Sequence, residues 1–467
     1  MNHQYEEELR KVACEVWDHP EPGFAEFVSS KVEVDYLKSQ GFEVEENVVD
    51  TVTGYVAKYG HGRPVIAILG EFDALYGLGQ EACTPVYSPD GKEMGHGCGH
   101  HLLGTGAIGA GMLVRDYLKE KNCEGTVLVC GCPAEEAGSG KVYMARDGVF
   151  DDVDIALTWH PASINQVDTG SSQSNITAFF RFHGKAAHAA GAPETGRSAL
   201  DAVELMDIGV NYLREHMPTT DRVHYAITNS GGKSPNVVQP EAEVNYFCRS
   251  MNNPGAVDLY RRVCAIAKGA AMMTETTVDI AFDSGVSNTV PNFVLEDLLA
   301  ECFREVGTAK LTEEDLKTAA EFAKAALPFR DAEIRAYCKD KKKYKEDRMS
   351  SPICTYFVEN EHSDMPLPGT TDVSDVSWVI PTAQINTATW VYGTPGHSWQ
   401  IVAQGKTDYA MKAMYNAAEI LARAAIRLIE DPELVKKAKA EHFERTGGKP
   451  YESLVPKNIK PHVAGDI

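Results

Sequence analysis

The chain has 467 residues, of which 43% are hydrophobic and 24% charged, and its formal net charge is −22. This length allows two or three domains with separate cores, and the acidic excess argues against nucleic acid or an anionic membrane surface as a partner. No apolar stretch approaches the roughly 18 residues that a membrane-spanning helix needs. Eleven cysteines without regular spacing are typical of reduced thiols, so we expect a cytoplasmic protein.

The first part of the chain predicts an α/β domain. A long helix is predicted over 102–119, and short apolar runs, typical of strands buried on both faces, occupy 64–69, 125–132 and 154–159. This alternation favours a mixed, mostly parallel sheet. We assign residues 1–172 to the first part of a catalytic domain.

A different pattern begins near residue 173. Strand-like and helix-like segments follow in the order β-α-β-β-α-β, which is typical of a ferredoxin-like α+β unit of about 115 residues. We therefore predict an inserted domain over 173–285. Residues 286–467 return to the α/β pattern, with a predicted strand over 387–393, and complete the catalytic domain. The highly charged stretch 310–348 is interpreted as two solvated helices and a loop.

A cluster of histidines and a cysteine, "HGCGHH", occupies residues 96–101. It has four possible interpretations: half of a disulfide, a nucleophilic thiol, a metal site, or an accident of composition. The expected reduced state of the cysteines makes the disulfide the weakest of the four.

Polar residues follow the predicted strands and help to choose between these interpretations. They are Asp73, Glu135, Glu136, His160 and His397. In an open α/β sheet, functional groups gather at the carboxyl ends of the strands. Cys98 and His100 lie in the loop that leads into the predicted helix, and this loop belongs to the same edge. The sequence therefore predicts that these side chains converge.

The converging side chains offer sulfur, nitrogen and oxygen donors, which suit zinc, manganese, cobalt or nickel. The proposed ligands are Cys98, His100, Glu136, His160 and His397. Five ligands exceed a tetrahedral set, so two ions that share one ligand are favoured over a single ion. In the Glu135–Glu136 pair, one carboxylate can coordinate a metal while its neighbour accepts a proton from the activated water.

The sequence resembles the M20 family of metallopeptidases and amidohydrolases. The matching stretches span nearly the whole chain in the family's order: "HPEPGFAE", "GEFDAL", "GHGCGHH", "PAEEAGSGK", "WHPA", "FHGKAAHAA", "NVVQPEA" and "GTPGHS". The Cys-Gly-His form points to the amidohydrolase branch, which acts on N-acyl and N-aroyl amino acids. The resemblance thus implies a binuclear metal-dependent amidohydrolase that activates water with a glutamate as general base.

The resemblance also implies roles for single residues in the first domain. Cys98 resembles the bridging ligand, His100 and His160 resemble ligands of one ion, and Glu136 and His397 resemble ligands of the other. Glu135 matches the general base, and Asp73 matches the carboxylate that orients the metal cluster.

Further roles fall in the inserted domain, which the family uses as a lid and for dimerisation. His188 resembles the histidine that stabilises the tetrahedral oxyanion, in the family often supplied by a partner subunit. Asn236 and Arg249 resemble the pair that holds the substrate's carboxylate. We expect a homodimer formed through this domain, with a related second subunit as a further possibility.

Two departures from the family pattern and three alternatives remain. Glu71 stands where many members have a metal-binding histidine, so His100 must supply that ligand, and His101 replaces the family's aspartate. A cysteine nucleophile would leave the glutamate pair, His160 and His397 without a purpose. The others are a dipeptidase or aminoacylase of the same family, and a metal-loaded, non-catalytic component of a hetero-oligomeric hydrolase.

Overall fold

The computed structural model describes residues 5–331, 334–367 and 369–463. Its helices are α1 (Glu6–Asp18), α2 (Phe27–Ser39), α3 (His100–Lys121), α4 (Gly140–Arg146), α5 (Ala199–Leu213), α6 (Asn253–Thr274), α7 (Phe293–Val306), α8 (Glu313–Ala323), α9 (Lys341–Ser350), α10 (Val373–Val379), α11 (Trp399–Gln404), α12 (Asp408–Glu430) and α13 (Pro432–Thr446). No described helix is both long and apolar enough to cross a bilayer.

The strands form one large sheet, one smaller sheet and two short pairs. They are β1 (Glu43–Glu46), β2 (Tyr55–His61), β3 (Val65–Glu71), β4 (Leu75–Tyr76), β5 (Met94–Gly95), β6 (Gly125–Cys132), β7 (Ile155–Ala162), β8 (Asn165–Val167), β9 (Ser171–Ser172), β10 (Ser174–His183), β11 (Arg222–Asn229), β12 (Glu241–Ser250), β13 (Thr277–Val286), β14 (Phe357–Val358), β15 (Pro366–Leu367) and β16 (Thr382–Ala388).

The large sheet has eight strands in the order β1-β2-β6-β3-β7-β16-β8-β14. Its centre, β6-β3-β7-β16, is parallel. The pairs β1-β2, β2-β6 and β16-β8 are antiparallel, and the edge strand β14 is parallel to β8. The predicted mixed, mostly parallel sheet is confirmed. The carboxyl ends of the four central strands therefore share one edge.

Strand β3 shows why the central strands read as continuous apolar runs. Ile66 and Ile68 pack into the core on the side of α3 and α12, while Ala67 and Leu69 pack on the opposite side with residues of α4 and α10. Alternate side chains of a strand point to opposite faces, so a sheet covered on both sides needs apolar residues at every position.

Helix α3 lies unusually close to the sheet because its buried side is rich in glycine. A Cβ placed at Gly106 would lie 2.6 Å from Nε1 of Trp159 on β7. That indole N–H donates a hydrogen bond to the carbonyl oxygen of Leu103, at 3.0 Å. The glycines thus let α3, and the Cys-His cluster at its start, pack directly against β3 and β7.

The smaller sheet has the order β11-β12-β10-β13 and is antiparallel throughout. Helices α5 and α6 cover one face and share an apolar core with it. The chain order β10-α5-β11-β12-α6-β13 confirms the predicted ferredoxin-like insertion. The exact boundaries at 172/173 and 285/286 remain predictions.

The predicted strand over 387–393 is wrong. The strand in this region is β16, over Thr382–Ala388. The sequence did not predict this strand because Gln384 and Asn386 make it polar. Their side-chain amides form hydrogen bonds, Gln384 with Asp168 and Asn386 with Gln166. Amides satisfied in this way are compatible with a central strand.

Candidate metal centre

The predicted site residues of the catalytic domain lie at the carboxyl edge of the large sheet. Asp73 follows β3, the Glu135–Glu136 pair follows β6, and His160 lies near the end of β7. Cys98 precedes α3 and His100 begins it, after Gly99 with a φ of +80°. Four separate chain segments therefore contribute to one cluster.

Cys98 belongs to two groups of potential ligands, and within each group the ligand atoms lie within 4.8 Å of one another. One group comprises Cys98, His100 and His160, and the other comprises Cys98, Glu136 and His397. Cys98 Sγ lies 3.3 Å from His160 Nε2, and His397 Nε2 lies 3.4 Å from Glu136 Oε2. Cys98 thus stands between two ligand sets.

Cys98 itself is a free thiol. All eleven cysteines are unpaired, and Cys130 and Cys132 lie fully buried in β6 as small core residues. Burial raises the pKa of the Cys98 thiol. This opposes the thiolate that a nucleophilic cysteine needs in the absence of a metal.

His100 is held by two carboxylates. Its Nδ1 lies 2.7 Å from Asp73 Oδ1 and its Nε2 lies 3.1 Å from Glu71 Oε2. Burial opposes the charged imidazolium, but Cys98, Asp73 and Glu71 outweigh it and raise the pKa of His100. The second oxygen of Asp73 accepts the backbone N–H of Glu136, at 2.9 Å. Asp73 therefore fixes both a histidine and the glutamate loop.

Glu135 lies beside this pair. Its carboxylate forms a further group with Glu71 and His100, again with ligand atoms within 4.8 Å of one another. Burial, followed by the negative charges of Glu71 and Asp372, raises the pKa of Glu135. A raised proton affinity suits a carboxylate that accepts a proton from water.

The glutamate loop is anchored by Glu26, a residue that sequence reasoning missed. Glu26 Oε1 accepts the N–H of Ala134 at 2.8 Å, and the Thr53 hydroxyl donates to its other oxygen at 2.6 Å. Ala134 adopts a left-handed φ of 57°. Burial and nearby Asp73 raise the pKa of Glu26 to about 8. The only available signal was its place at the end of the "HPEPGFAE" stretch.

A buried charge network below the cluster was also missed. Lys141 Nζ lies 2.6 Å from Glu71 Oε1 and 2.6 Å from Asp372 Oδ1, and all three side chains are at most 2% exposed. The quoted "PAEEAGSGK" stretch contains Lys141. Its depth was not visible in the sequence, because lysines are rarely buried.

His96 and His101 belong to no group of potential ligands among the described residues. Both are buried; His96 Nε2 lies 3.1 Å from the Val16 carbonyl oxygen and His101 Nε2 lies 3.0 Å from that of Gly405. Their rings are 5.0 Å apart, and burial lowers the pKa of both. Residue 101 is thus a packing residue.

Several buried polar atoms of the cluster have no hydrogen-bond partner in the described part of the chain. They are Glu71 Oε2, His100 Nε2 and Glu136 Oε1. Such atoms are costly to bury unless a further group satisfies them. Because they are lone-pair donors beside a thiol and two more histidines, the residues present fit divalent metal ions.

The three predicted residues of the inserted domain lie apart from this cluster. His188 is exposed, and its Nδ1 accepts the N–H of Gly191 at 2.9 Å. The loop of Asn236 pairs with the loop of His188. No hydrogen bond or ion pair within the described ranges joins His188, Asn236 or Arg249 to the cluster.

Asn236 and Arg249 also lie apart from each other. Asn236 precedes Glu241, the first residue of β12, whereas Arg249 lies near the other end of that strand. The extended strand from Glu241 to Arg249 is about 26 Å long. Within one chain the two residues are therefore separated by the length of this strand, and their joint contact with one carboxylate stays a prediction.

Comparison with known proteins supports the family that the sequence motifs indicated. The chain is 44% identical over 461 residues, which cover 96% of it and 95% of the relative, to a subunit of p-aminobenzoyl-glutamate hydrolase from Escherichia coli strain K12. The similarity to that protein indicated by the "GTTDVSDVSW" stretch, residues 369–378, is confirmed.

Solved structures share the fold. A dinuclear metal-binding M20 peptidase from Bacillus subtilis has a TM-score of 0.57 at 18% identity, covering 92% of this chain and 99% of that one. An aminobenzoyl-glutamate utilization protein from Klebsiella pneumoniae has a TM-score of 0.59 at 18% identity, covering 91% of this chain and 96% of that one. The family model of Peptidase family M20/M25/M40 matches residues 67–427, and the chain belongs to this family of hydrolases.

Proposed function

We propose that the protein hydrolyses the amide bond of an N-acyl or N-aroyl amino acid, such as p-aminobenzoyl-glutamate. The observation that carries this proposal is the position of Cys98 between two ligand sets, one with His100 and His160 and one with Glu136 and His397. The relative that is 44% identical is named for p-aminobenzoyl-glutamate hydrolysis. Together they support a binuclear hydrolase with that class of substrate.

The proposed cofactor is a pair of divalent ions, zinc or manganese, with cobalt or nickel as alternatives. When bound, such ions act as Lewis acids that activate water and polarise the amide carbonyl. Glu135 accepts the proton of the attacking water and delivers it to the leaving nitrogen. Asp73 keeps the Nε2 lone pair of His100 directed at the cluster, because it binds the opposite ring nitrogen at 2.7 Å.

Arg249 is the proposed ligand of the substrate's carboxylate. It forms no ion pair with an acidic residue within the described part of the chain, and its guanidinium lies 5.5 Å from the ring centre of Phe247. Arg222 lies directly opposite on β11, and like charges placed opposite each other are unfavourable. A bound carboxylate would relieve this repulsion and satisfy the guanidinium bidentately.

The inserted domain is proposed to act as a lid and to dimerise. Residues His188 and Asn236 lie at one end of its sheet and Arg249 at the other, so one substrate meets both ends only if two chains contribute. A homodimer through residues 173–285 provides this arrangement. The relative is named as one subunit of its hydrolase, which favours a related second subunit as the alternative partner.

The function is tested by a substrate screen on the purified protein loaded with Zn²⁺, Mn²⁺ or Co²⁺. We expect release of the amine from p-aminobenzoyl-glutamate and slower release from N-acyl amino acids. Preferential cleavage of dipeptides would favour a dipeptidase, which is the activity named for a mouse relative that is 30% identical over 53% of this chain. A fully metallated protein that cleaves none of them would favour a non-catalytic subunit.

The lid proposal is tested by mixing two inactive variants. His188→Ala lacks the lid histidine, and Cys98→Ala lacks the shared ligand. If His188 acts on the partner's site, exchanged heterodimers regain activity at one of their two sites. Exchanged heterodimers without activity would show that each chain closes on its own site.

A further inference from the structure

Lys141 is the one lysine among the described residues whose side chain is fully buried. Its Nζ lies 2.6 Å from both Glu71 Oε1 and Asp372 Oδ1, and its backbone N–H donates to Asp372 Oδ2 at 2.8 Å. Burial opposes its charge, but Asp372 and Glu71 outweigh it and raise the pKa of Lys141. A buried ion pair seldom stabilises a fold more than apolar residues of the same size would. A contribution to stability therefore does not explain why Lys141 is buried in this network.

One end of the network contacts the metal-binding cluster. Glu71 uses its second oxygen to approach His100 Nε2 at 3.1 Å, and its carboxylate is also grouped with that of Glu135. Lys141 is thus separated by a single side chain from a proposed metal ligand and from the proposed base. Its ion pairs in the described structure are with Glu71 and Asp372, so its direct contact with the cluster is made through Glu71.

The other end of the network contacts the connection between the two sheets. Two hinge segments, residues 168–173 and 287–292, join the smaller sheet to the catalytic domain. Asp372 directly precedes α10, and Ser374 on that helix forms hydrogen bonds with Ser172 in the first hinge segment, at 2.9 Å, and with Thr289 in the second, at 2.7 Å.

The same helix holds the second hinge segment at further points. The Asp375 carboxylate accepts both the backbone N–H and the hydroxyl of Ser287, at 3.0 and 2.7 Å. The Ser377 hydroxyl accepts the N–H of Val290, at 2.8 Å. Helix α10, whose preceding residue Asp372 binds Lys141, therefore contacts both hinge segments.

We propose that Lys141 is a positioning residue that links the hinge of the inserted domain, through Asp372 and Glu71, to the metal-binding cluster. The inference rests on the proposed function and adds a chain of contacts through which the position of the inserted domain affects the catalytic groups. Partners of this kind orient a metal ligand without touching the metal.

The test uses Co²⁺-substituted protein, whose visible absorption reports ligand geometry. Lys141→Met removes the charge at similar length, and Asp372→Asn keeps the shape of the partner. Both are expected to shift the Co²⁺ spectrum and lower kcat roughly 10- to 100-fold, with KM nearly unchanged because neither residue touches the substrate. Lys412→Met is the control, since Lys412 forms an ion pair with Asp315 and lies outside the network.

Ser374→Ala tests the hinge end of the link. It loses the hydrogen bonds of Ser374 to Ser172 and Thr289 but keeps those of Asp375 and Ser377 and leaves Lys141 intact. It is therefore expected to shift the Co²⁺ spectrum in the same direction by less. Its effect on kcat should largely disappear when Lys141→Met is already present. If Lys141→Met fails to fold, Asp372→Asn and Ser374→Ala decide the question.

Three results would overturn the proposal. The first is a Lys141→Met or Asp372→Asn protein with the spectrum and kcat of the Lys412→Met control. The others are an unchanged spectrum in Ser374→Ala, and a double variant whose loss of kcat is the product of the losses in Ser374→Ala and Lys141→Met. Failure of the proposed function is distinguishable from these. A wild-type protein that binds Co²⁺ but cleaves no amide contradicts the function, while the spectra still measure the link.

Discussion

The catalytic domain and the inserted domain differ in the burial of the charged and polar residues proposed for function. Around the cluster, the side chains of Glu71, Asp73, His100, Lys141 and Asp372 are at most 2% exposed. In the inserted domain, His188 and Asn236 are exposed, and Arg249 is half-buried without an acidic partner among the described residues. In one region the charged groups are held by one another, whereas the other region presents separate groups.

This difference separates two tasks. Preorganised groups that are fixed by buried partners do not have to reorganise during the reaction, which favours catalysis. In the proposed lid, groups have to let substrate enter and product leave, so they would be completed only on closure or by a partner. His397 belongs to the cluster but has a side chain that is 60% exposed, so it lies on the solvent side of the cluster.

The largest effect is expected for Cys98→Ala. Because Cys98 contributes to both ligand sets, its loss should reduce the metal content from two ions to at most one and abolish turnover. Elemental analysis of the dialysed protein measures this directly. Cys130→Ala is the matched control, since it removes a buried cysteine of β6 and should keep both ions. Two tightly bound ions in Cys98→Ala would refute the shared-ligand assignment.

Glu135→Gln is expected to separate chemistry from metal binding. The amide keeps the size of the side chain but cannot accept a proton, so kcat should fall by roughly 10²-fold or more while both ions stay bound. Glu93→Gln, at an exposed position, provides the control. A metallated Glu135→Gln enzyme with nearly normal kcat would show that another residue is the base.

The sequence predicted the convergence of the cluster residues, which the structure shows, for a physical reason. Glu136 and His160 follow or end strands whose apolar runs are readable, and parallel strands bring their carboxyl ends to one edge. Cys98 and His100 lie at the start of the predicted helix, at the same edge. Glu26, Lys141 and Asp372 escaped notice because nothing in a single sequence reveals that a charged side chain is buried. β16 was misplaced for a related reason, since the partners of its two amides lie on distant segments.

In the inserted domain, the sequence predicted the order of the elements but not the relative positions of the site residues. Its β-α-β-β-α-β order was readable from local patterns, and the structure confirms it. The relation of Asn236 to Arg249 depends on strand length, because Asn236 lies before the start of β12 and Arg249 lies near its end. The resemblance joined them in one role, whereas the geometry of a single chain separates them.

Arg249 gives a smaller, substrate-dependent effect. If it binds the free carboxylate, converting that group to a primary amide should cost about 2 kcal/mol, or roughly 30-fold in kcat/KM, because the guanidinium is left unpaired. Arg249→Met should remove this discrimination with the metal content unchanged. Arg261→Met, which removes an exposed ion pair with Asp258, is the control. Equal hydrolysis of acid and amide by the wild type would refute the carboxylate contact.

The smallest effect concerns stability and contrasts one acid from each domain. Glu33, in the catalytic domain, is fully buried. The Tyr55 hydroxyl donates to one oxygen of its carboxyl group at 2.8 Å, and the second oxygen has no hydrogen-bond partner in the ranges that the structure describes. Burial raises the pKa of Glu33 from 4.5 to about 8. Burial also opposes the charge of Glu243, in the inserted domain, but hydrogen bonds from Arg181 and Thr228 outweigh it and lower its pKa.

The two shifts have opposite consequences. The folded protein holds the Glu33 proton more tightly than the unfolded chain, so the free energy of unfolding falls as pH rises between the two pKa values, by up to about 1.4 kcal/mol per pH unit. Glu33→Gln should therefore raise the Tm at pH 8.5 more than at pH 5. Glu243 contributes stability above its unfolded pKa, so Glu243→Gln should lower the Tm slightly at pH 8.5, by no more than a surface ion pair would. Thermal unfolding of both variants across this range measures the contrast. A Glu33→Gln protein that loses stability equally at every pH would show that Glu33 is ionised in the fold, and that the catalytic domain tolerates one more buried charge than its contacts suggest.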